Sequence, residues 1–139
     1  MKKLIINSGL VDASGDRYFL RGIEVDRFLK NPVLLYQHNK QSLPIGKFTE
    51  IRISEEGLIG MVEFYEPSQD LVGEHIDLVK TIVDLVDKGM LNGVSISTLD
   101  KETYCNEFGG EDIMSCELIE VSLVTIPCDK NSIIKKEVK

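Results

Sequence analysis

A mostly β fold with one principal helix is predicted by three features of this chain. Short apolar runs alternate with turn signals through its first hundred residues, a single segment carries apolar residues at helical spacing, and the overall composition is that of an ordinary globular domain. The turn signals are Ser14-Gly15-Asp16, Asn31-Pro32, Leu43-Pro44-Ile45-Gly46 and Glu55-Glu56-Gly57. Between and after them the pattern predicts strands at Lys3 to Asn7, Tyr18 to Glu24, Val33 to Gln37, Gly46 to Ile53, Leu58 to Phe64, Val94 to Leu99 and Glu117 to Ile126.

The helix rests on Leu71, Val72, His75, Ile76, Val79, Ile82, Val83 and Val86, which recur at intervals of three and four. This predicts a helix over about 69–88, with Ser68 as N-cap, Asp70 and Glu74 at its positive end, and Lys88-Gly89 as its stop. A second, short helix is expected from Val25 to Lys30, ended by Pro32. Tyr104 to Ser115, rich in Gly and acidic residues, is expected to be a mobile loop or hairpin tip.

With 139 residues, 42% of them apolar and 28% charged, the chain suits one domain over 1–139, with 131–139 as a flexible tail. The net charge of −7 argues against nucleic acid as a partner, and Lys135, Lys136 and Lys139 read as a solvated basic end. Cys105, Cys116 and Cys128 are too few and too widely spaced for a disulfide framework or a metal knuckle, which points to a reducing, cytoplasmic setting. Met1-Lys2-Lys3 is followed by only Leu4-Ile5-Ile6, too short for the apolar core of a signal peptide, and no run approaches membrane-spanning length. No metal or cofactor motif is visible: Gly109-Gly110 lacks the Lys and helix of a phosphate loop.

Two residues carry the candidate chemistry. His38 closes the apolar run Val33-Leu34-Leu35-Tyr36-Gln37-His38, and Ser95 lies in Gly93-Val94-Ser95-Ile96-Ser97. In a strand Ser95 and Ser97 share one face while Val94 and Ile96 take the other. Gly93 is expected to leave room beside Ser95 for a peptide backbone. An imidazole at a strand end is placed to take a proton from a serine and return it to a leaving amine. Glu120, in Glu117-Leu118-Ile119-Glu120-Val121-Ser122-Leu123-Val124, is expected to share a face with Leu118, Ser122 and Val124 and to need a partner, which an imidazolium would supply. The plainer readings stand beside these: serines facing solvent on a barrel strand, a His capping a strand, and a Glu exposed by a local distortion or an edge. His75 reads as packing or surface, and no cysteine has the setting of an activated thiolate.

The blocks Asp12-Ala13-Ser14-Gly15-Asp16, Asn31 to His38, Pro44-Ile45-Gly46-Lys47, Lys88 to Ile96 and Glu117 to Pro127 occur in an order that resembles the prohead (capsid maturation) proteases of tailed bacteriophages. The resemblance covers about residues 10–130. It implies a mostly antiparallel β-barrel flanked by helices, of the herpesvirus assemblin-like kind, and a serine endopeptidase needing no cofactor. His38 would be general base, Ser95 nucleophile and Glu120 the third member. The partners implied are phage capsid and scaffold polypeptides as substrates and a second copy of the chain, with no role for nucleic acid or membrane. The implied location is the prohead within the bacterial cytoplasm. Backbone amides near Ser97 to Leu99 or in the 104–115 segment are the candidate oxyanion donors. The alternative is a non-catalytic capsid-associated or scaffolding protein of the same fold.

Overall fold

Eight strands form one sheet that curls almost into a barrel, and the computed structural model describes residues 1–135 of the chain. In chain order the elements are β1 (Lys2–Asn7), β2 (Arg17–Tyr18), a 3₁₀ turn at Leu20–Gly22, β3 (Ile23–Glu24), α1 (Asp26–Leu29) and β4 (Val33–Tyr36). They continue with β5 (Gly46–Ser54), β6 (Gly57–Phe64), α2 (Glu74–Asp87), β7 (Gly93–Cys105) and β8 (Glu111–Val124). Neighbouring strands run β1-β6-β5-β4-β8-β7, and β2 and β3 pair with β8 beyond β4. Most ladders are antiparallel, as expected, but β2, β3 and β4 all run parallel to β8.

The gap between β7 and β1 is closed by the segment that follows β8. Val94 N–H donates to the Ser132 carbonyl at 2.8 Å, Ile134 N–H to Asn92 at 2.9 Å, Ile5 N–H to Ile133 at 2.9 Å and Lys135 N–H to Lys3 at 2.8 Å. Residues 131–135, expected in a flexible tail, therefore supply the last stave of the barrel. Lys135 is likewise no free basic end, since it pairs with Glu56 at 3.0 Å. Lys136 and Lys139, the rest of the expected basic tail, lie outside the described residues. The closing segment is anchored by Asp129, only 4% exposed, which accepts from Ser8 N–H (2.8 Å), Ser8 Oγ (2.7 Å), Ser132 Oγ (2.9 Å) and Asn131 N–H (3.0 Å).

Local departures from the expected elements each have a visible cause. The expected strand Tyr18 to Glu24 is broken by the 3₁₀ turn, whose Gly22 presses on β8 so closely that a Cβ there would meet the Met114 carbonyl at 1.8 Å. The principal helix begins at Glu74, not near 69: Gly73, at φ 144°, and Asp70, at φ 71°, are both outside helical geometry, and Ser68 caps nothing. Its stop is as read, with Gly89 left-handed at φ 71°. Its buried stripe, Ile76, Val79, Ile82 and Val86, packs on the core of Leu4, Ile6, Leu34, Val62, Val94, Leu118, Val121 and Leu123.

The expected 104–115 loop shrinks to a turn at 106–110 between two long strands. That turn is pinned to the 12–16 loop, because Asn106 Nδ2 donates to the Gly15 carbonyl at 2.8 Å and a Cβ on Gly110 would meet the Gly15 backbone at 2.4 Å. Core-facing residues on β8 change parity twice, from Ile113 to Cys116 and Leu118, then to Val121 and Leu123. Register shifts against β7 accompany both changes, and the one between Ser97 and Thr98 leaves Ile119 as an unpaired extra residue.

Replacing Asp129 by Ala should lower stability by about 2–3 kcal/mol, because several buried donors lose their acceptor; a urea titration that moves by less would remove Asp129 as the anchor of the closing segment. The Glu56 carboxylate is held below its usual range by hydrogen bonds from Lys3 first and Lys135 second. A depressed carboxylate stabilises the fold above its unfolded pKa and ceases to do so as pH falls through the folded one. Glu56→Gln should therefore lower the melting temperature at pH 7, by a deficit that shrinks as pH falls through the folded pKa of Glu56; a deficit that does not change with pH would contradict the pairing.

Candidate active site

The pleat decides which side chains can meet. Ser95 lies directly opposite Ser122 and Ser97 opposite Glu120 in the β7–β8 ladder, so all four project from one face of the wall. Their strand neighbours Val94, Val121 and Leu123 are fully buried on the other face, in the core. β4 lies on the far side of β8 and pairs Leu34, Leu35 and Tyr36 with Val121, Ser122 and Leu123. The end of β4 thus arrives level with Leu123, next to Ser122, and His38 follows two residues later.

Two consecutive left-handed residues turn the imidazole onto this face: Gln37 at φ 54° and His38 at φ 57°. Such a conformation costs a non-glycine residue about 1–2 kcal/mol, so other contacts must hold it. Gln37 is fixed at three points. Its N–H donates to the Leu123 carbonyl at 2.8 Å, its Nε2 to Thr125 Oγ1 at 3.0 Å, and its Oε1 accepts from Thr125 N–H at 3.2 Å. His38 N–H donates to Ser122 Oγ at 3.0 Å, and His38 Nδ1 is hydrogen-bonded to Glu120 Oε1.

Glu120 is the centre of the arrangement. Only 4% exposed, it accepts from His38 Nδ1 and from Ser97 Oγ (2.6 Å) on Oε1, and from Ser122 Oγ (2.7 Å) on Oε2. A buried carboxylate costs several kcal/mol in lost hydration, and hydrogen bonds to a charged group return about 1.5–3 kcal/mol each, so three donors are what this position requires. The expected placement of Leu118 on the same face is corrected by the unpaired Ile119, which turns Leu118 into the core, where it is fully buried.

The protons can be assigned by chemistry. An ionised carboxylate only accepts, so His38 Nδ1 carries the hydrogen and Nε2 of the neutral ring holds a free lone pair. No hydrogen bond reaches Nε2 among the described residues, and the His38 side chain is 37% exposed. Ser97 Oγ is 3.4 Å from Nδ1, but its proton is committed to Glu120, so it meets the ring on the nitrogen that is not basic. Ser95 shares the face, half-buried, and makes no hydrogen bond to His38. The face therefore gathers His38, Ser95 and Glu120, leaves His38 Nε2 without a hydrogen bond among the described residues, and adds Ser97 and Ser122. Ser97 and Ser122 were legible only as same-face neighbours on their strands; the Ser97 bond to Glu120 follows from the ladder register, and the Ser122 bond from its place two residues along β8.

Two expectations about this site are overturned. Gly93 opens no space beside Ser95, since a Cβ there would meet the Val124 carbonyl at 2.6 Å and the Pro127 ring at 2.8 Å. The 106–110 turn cannot supply oxyanion donors, because Cys105 lies eight residue steps along the strand from Ser97, roughly 26 Å at about 3.3 Å each. His75 Nε2–H donates to the Pro44 carbonyl, 2.9 Å away, and lines a groove of about 580 Å³ with Val33, Leu43 and Tyr65. Cys116 is fully buried and burial pushes its thiol up to about 11, so it is no thiolate nucleophile. Among the described residues no cluster of three or more His, Cys, Asp or Glu side chains is placed to hold a metal ion.

Over 106 residues, 76% of its length, the chain is 30% identical to a protein named Prohead protease from Escherichia phage T5. It spans 45% of that relative's length. No protein-family model and no solved structure matches it.

The packing at Gly93 makes a prediction. Gly93→Ala should lower stability by roughly 1–3 kcal/mol through a displaced Pro127 or Val124 backbone; a thermal melt unchanged from wild type would mean that the β7 start is looser than its contacts imply.

Proposed function

We propose that this chain is a serine endopeptidase of the prohead-protease type, built on an assemblin-like barrel, that cuts phage capsid or scaffold polypeptides during capsid maturation. The observation that carries the reading is the His38–Glu120 pair: the acid holds Nδ1 and leaves Nε2 unbonded, free to act as a base toward Ser95 on the adjoining sheet face. The similarity to the phage T5 protein supports proteolysis as the reaction and prohead polypeptides as the substrates.

In this reading Ser95 Oγ attacks the scissile carbonyl and His38 Nε2 takes its proton. The imidazolium is stabilised by Glu120 and returns the proton to the leaving amine, forming an acyl-enzyme. Water activated by the same nitrogen then releases the acid product and restores Ser95. Ser95 reaches Nε2 when substrate orders the face, since such bonds are commonly long in the free enzyme. No metal or cofactor enters these steps. Self-association and a location inside the prohead in the host cytoplasm belong to the same proposal. A second reading makes Ser97 the nucleophile, on the strength of its 3.4 Å approach to the ring. The shared nitrogen argues against it.

The test is to treat the protein with a fluorophosphonate, map the labelled serine by mass spectrometry, and assay cleavage of the capsid and scaffold proteins encoded beside it. Labelling of Ser95, with turnover abolished in Ser95→Ala, reduced at least about 10²-fold in His38→Ala and lowered but measurable in Glu120→Gln, is the expected result. Labelling of Ser97 would transfer the nucleophile to that residue. Intact substrates and no labelled serine would leave the non-catalytic capsid-associated reading.

A further inference from the structure

Three serines share the site face, and their hydrogen bonds give them different work. We propose that Ser122 and Ser97 are positioning residues: Ser122 braces the His38 backbone against Glu120, and Ser97 fixes the carboxylate oxygen that the imidazole shares. This deepens the protease reading and rests on it for its kinetic consequences, though the brace itself is a property of the folded chain.

The bonds form a closed loop. His38 N–H donates to Ser122 Oγ at 3.0 Å, Ser122 O–H donates to Glu120 Oε2 at 2.7 Å, and Glu120 Oε1 accepts from His38 Nδ1. Both ends of the histidine are thereby tied to one carboxylate, the ring directly and the backbone through one hydroxyl. Ser122 is completely buried and its oxygen is satisfied as donor and acceptor, so it has no freedom to serve as a nucleophile. His38 is left-handed, a conformation that relaxes unless something holds its amide, and the Ser122 hydroxyl is the acceptor for that amide.

Ser97 acts on the other oxygen. At 2.6 Å its O–H is aimed at Glu120 Oε1, which limits rotation of the carboxylate and leaves one in-plane direction for the Nδ1 hydrogen. Neither hydroxyl touches Nε2, where the proposed proton transfer takes place. Their removal should therefore lower kcat and leave KM nearly unchanged, because an imidazole that wanders is a poorer base for every bound substrate.

The experiment compares wild type, Ser122→Ala, Ser97→Ala, Ser97→Thr and Ser132→Ala. Ser132 is a buried serine bonded to Asp129 and the Ile6 carbonyl, outside the site, and controls for loss of any buried hydroxyl. The first readout is the downfield proton resonance of His38 Nδ1–H, which needs no substrate. It should be present in wild type and in Ser132→Ala, and shifted upfield or lost by exchange in Ser122→Ala. It should be weakened in Ser97→Ala and restored in Ser97→Thr. The second readout is turnover, expected to fall about 10- to 100-fold in kcat for Ser122→Ala.

An unshifted resonance in Ser122→Ala, or no downfield resonance in wild type, would overturn the brace. A kcat within twofold of wild type would overturn its role in turnover. A wild-type chain that shows the resonance and cuts nothing would sink the protease reading while leaving the brace supported, so the two failures are distinct.

Discussion

A buried carboxylate that must find its donors organises the wall of this molecule. Glu120 draws one from β7, one from its own strand and one from the turn after β4, and each comes from a different part of the chain. Remove any strand from its register and a donor is lost while the carboxylate stays buried, an outcome that costs more than the bond itself was worth. The parallel pairing of β4 with β8 is part of the same constraint. It brings the end of β4 to the level of Leu123, so that two left-handed residues suffice to return His38 over Ser122 and Glu120.

Closure of the barrel bears on the site from the other side. The closing segment bonds to Asn92 and Val94, immediately before Ser95, and Pro127 with the Val124 carbonyl fills the space over Gly93. The start of β7 is therefore clamped between β8 and residues 132–134, and Ser95 is the first residue beyond the clamp. Asp129 sets that clamp by gathering Ser8, Asn131 and Ser132 on one carboxylate. Two buried acids thus divide the labour: Asp129 ties the ends of the chain to the barrel, and Glu120 ties His38 to the wall.

Much of this was legible in the sequence because it depends on local pattern. Strand positions for β1, β4, β5 and β6, the stop of α2 at Gly89 and the shared face of Ser95 and Ser97 follow from alternation and turn chemistry. What was hidden depends on contacts between distant segments. Ser68 looked like an N-cap, but φ at Gly73 delayed the helix, and a glycine permits that conformation without announcing it. The Gly-rich stretch near 109 suggested mobility, yet Gly110 packs closely against Gly15 and Gly109 supplies a left-handed turn residue at φ 82°. Residues 131–135 carry no strong strand signal and become a stave only because β1 and β7 leave a gap of the right width. The pairing of His38 with Glu120 was visible as a need, a carboxylate among apolar neighbours, while its partner Ser122 required the register of two strands.

The unpaired Ile119 explains how one strand can serve core and site together. With strict alternation along β8, Leu118 and Cys116 would share the face of Glu120 and Ser122, and the same strand would have to bury an apolar row and present a polar one on a single side. One inserted residue shifts the parity, so that Cys116 and Leu118 enter the core below it while Val121 and Leu123 enter the core above. Glu120 and Ser122 then turn away from the core, on the face of Ser95 and Ser97. The bulge also lies at the point where β8 changes its outer partner from β3 to β4, pairing Glu117 with Glu24 before it and Val121 with Leu34 after it. The irregularity in the ladder, the change of neighbour and the polar site coincide over four residues, and the extra bend of a bulged strand is what lets a parallel strand dock there with its end turned toward the carboxylate.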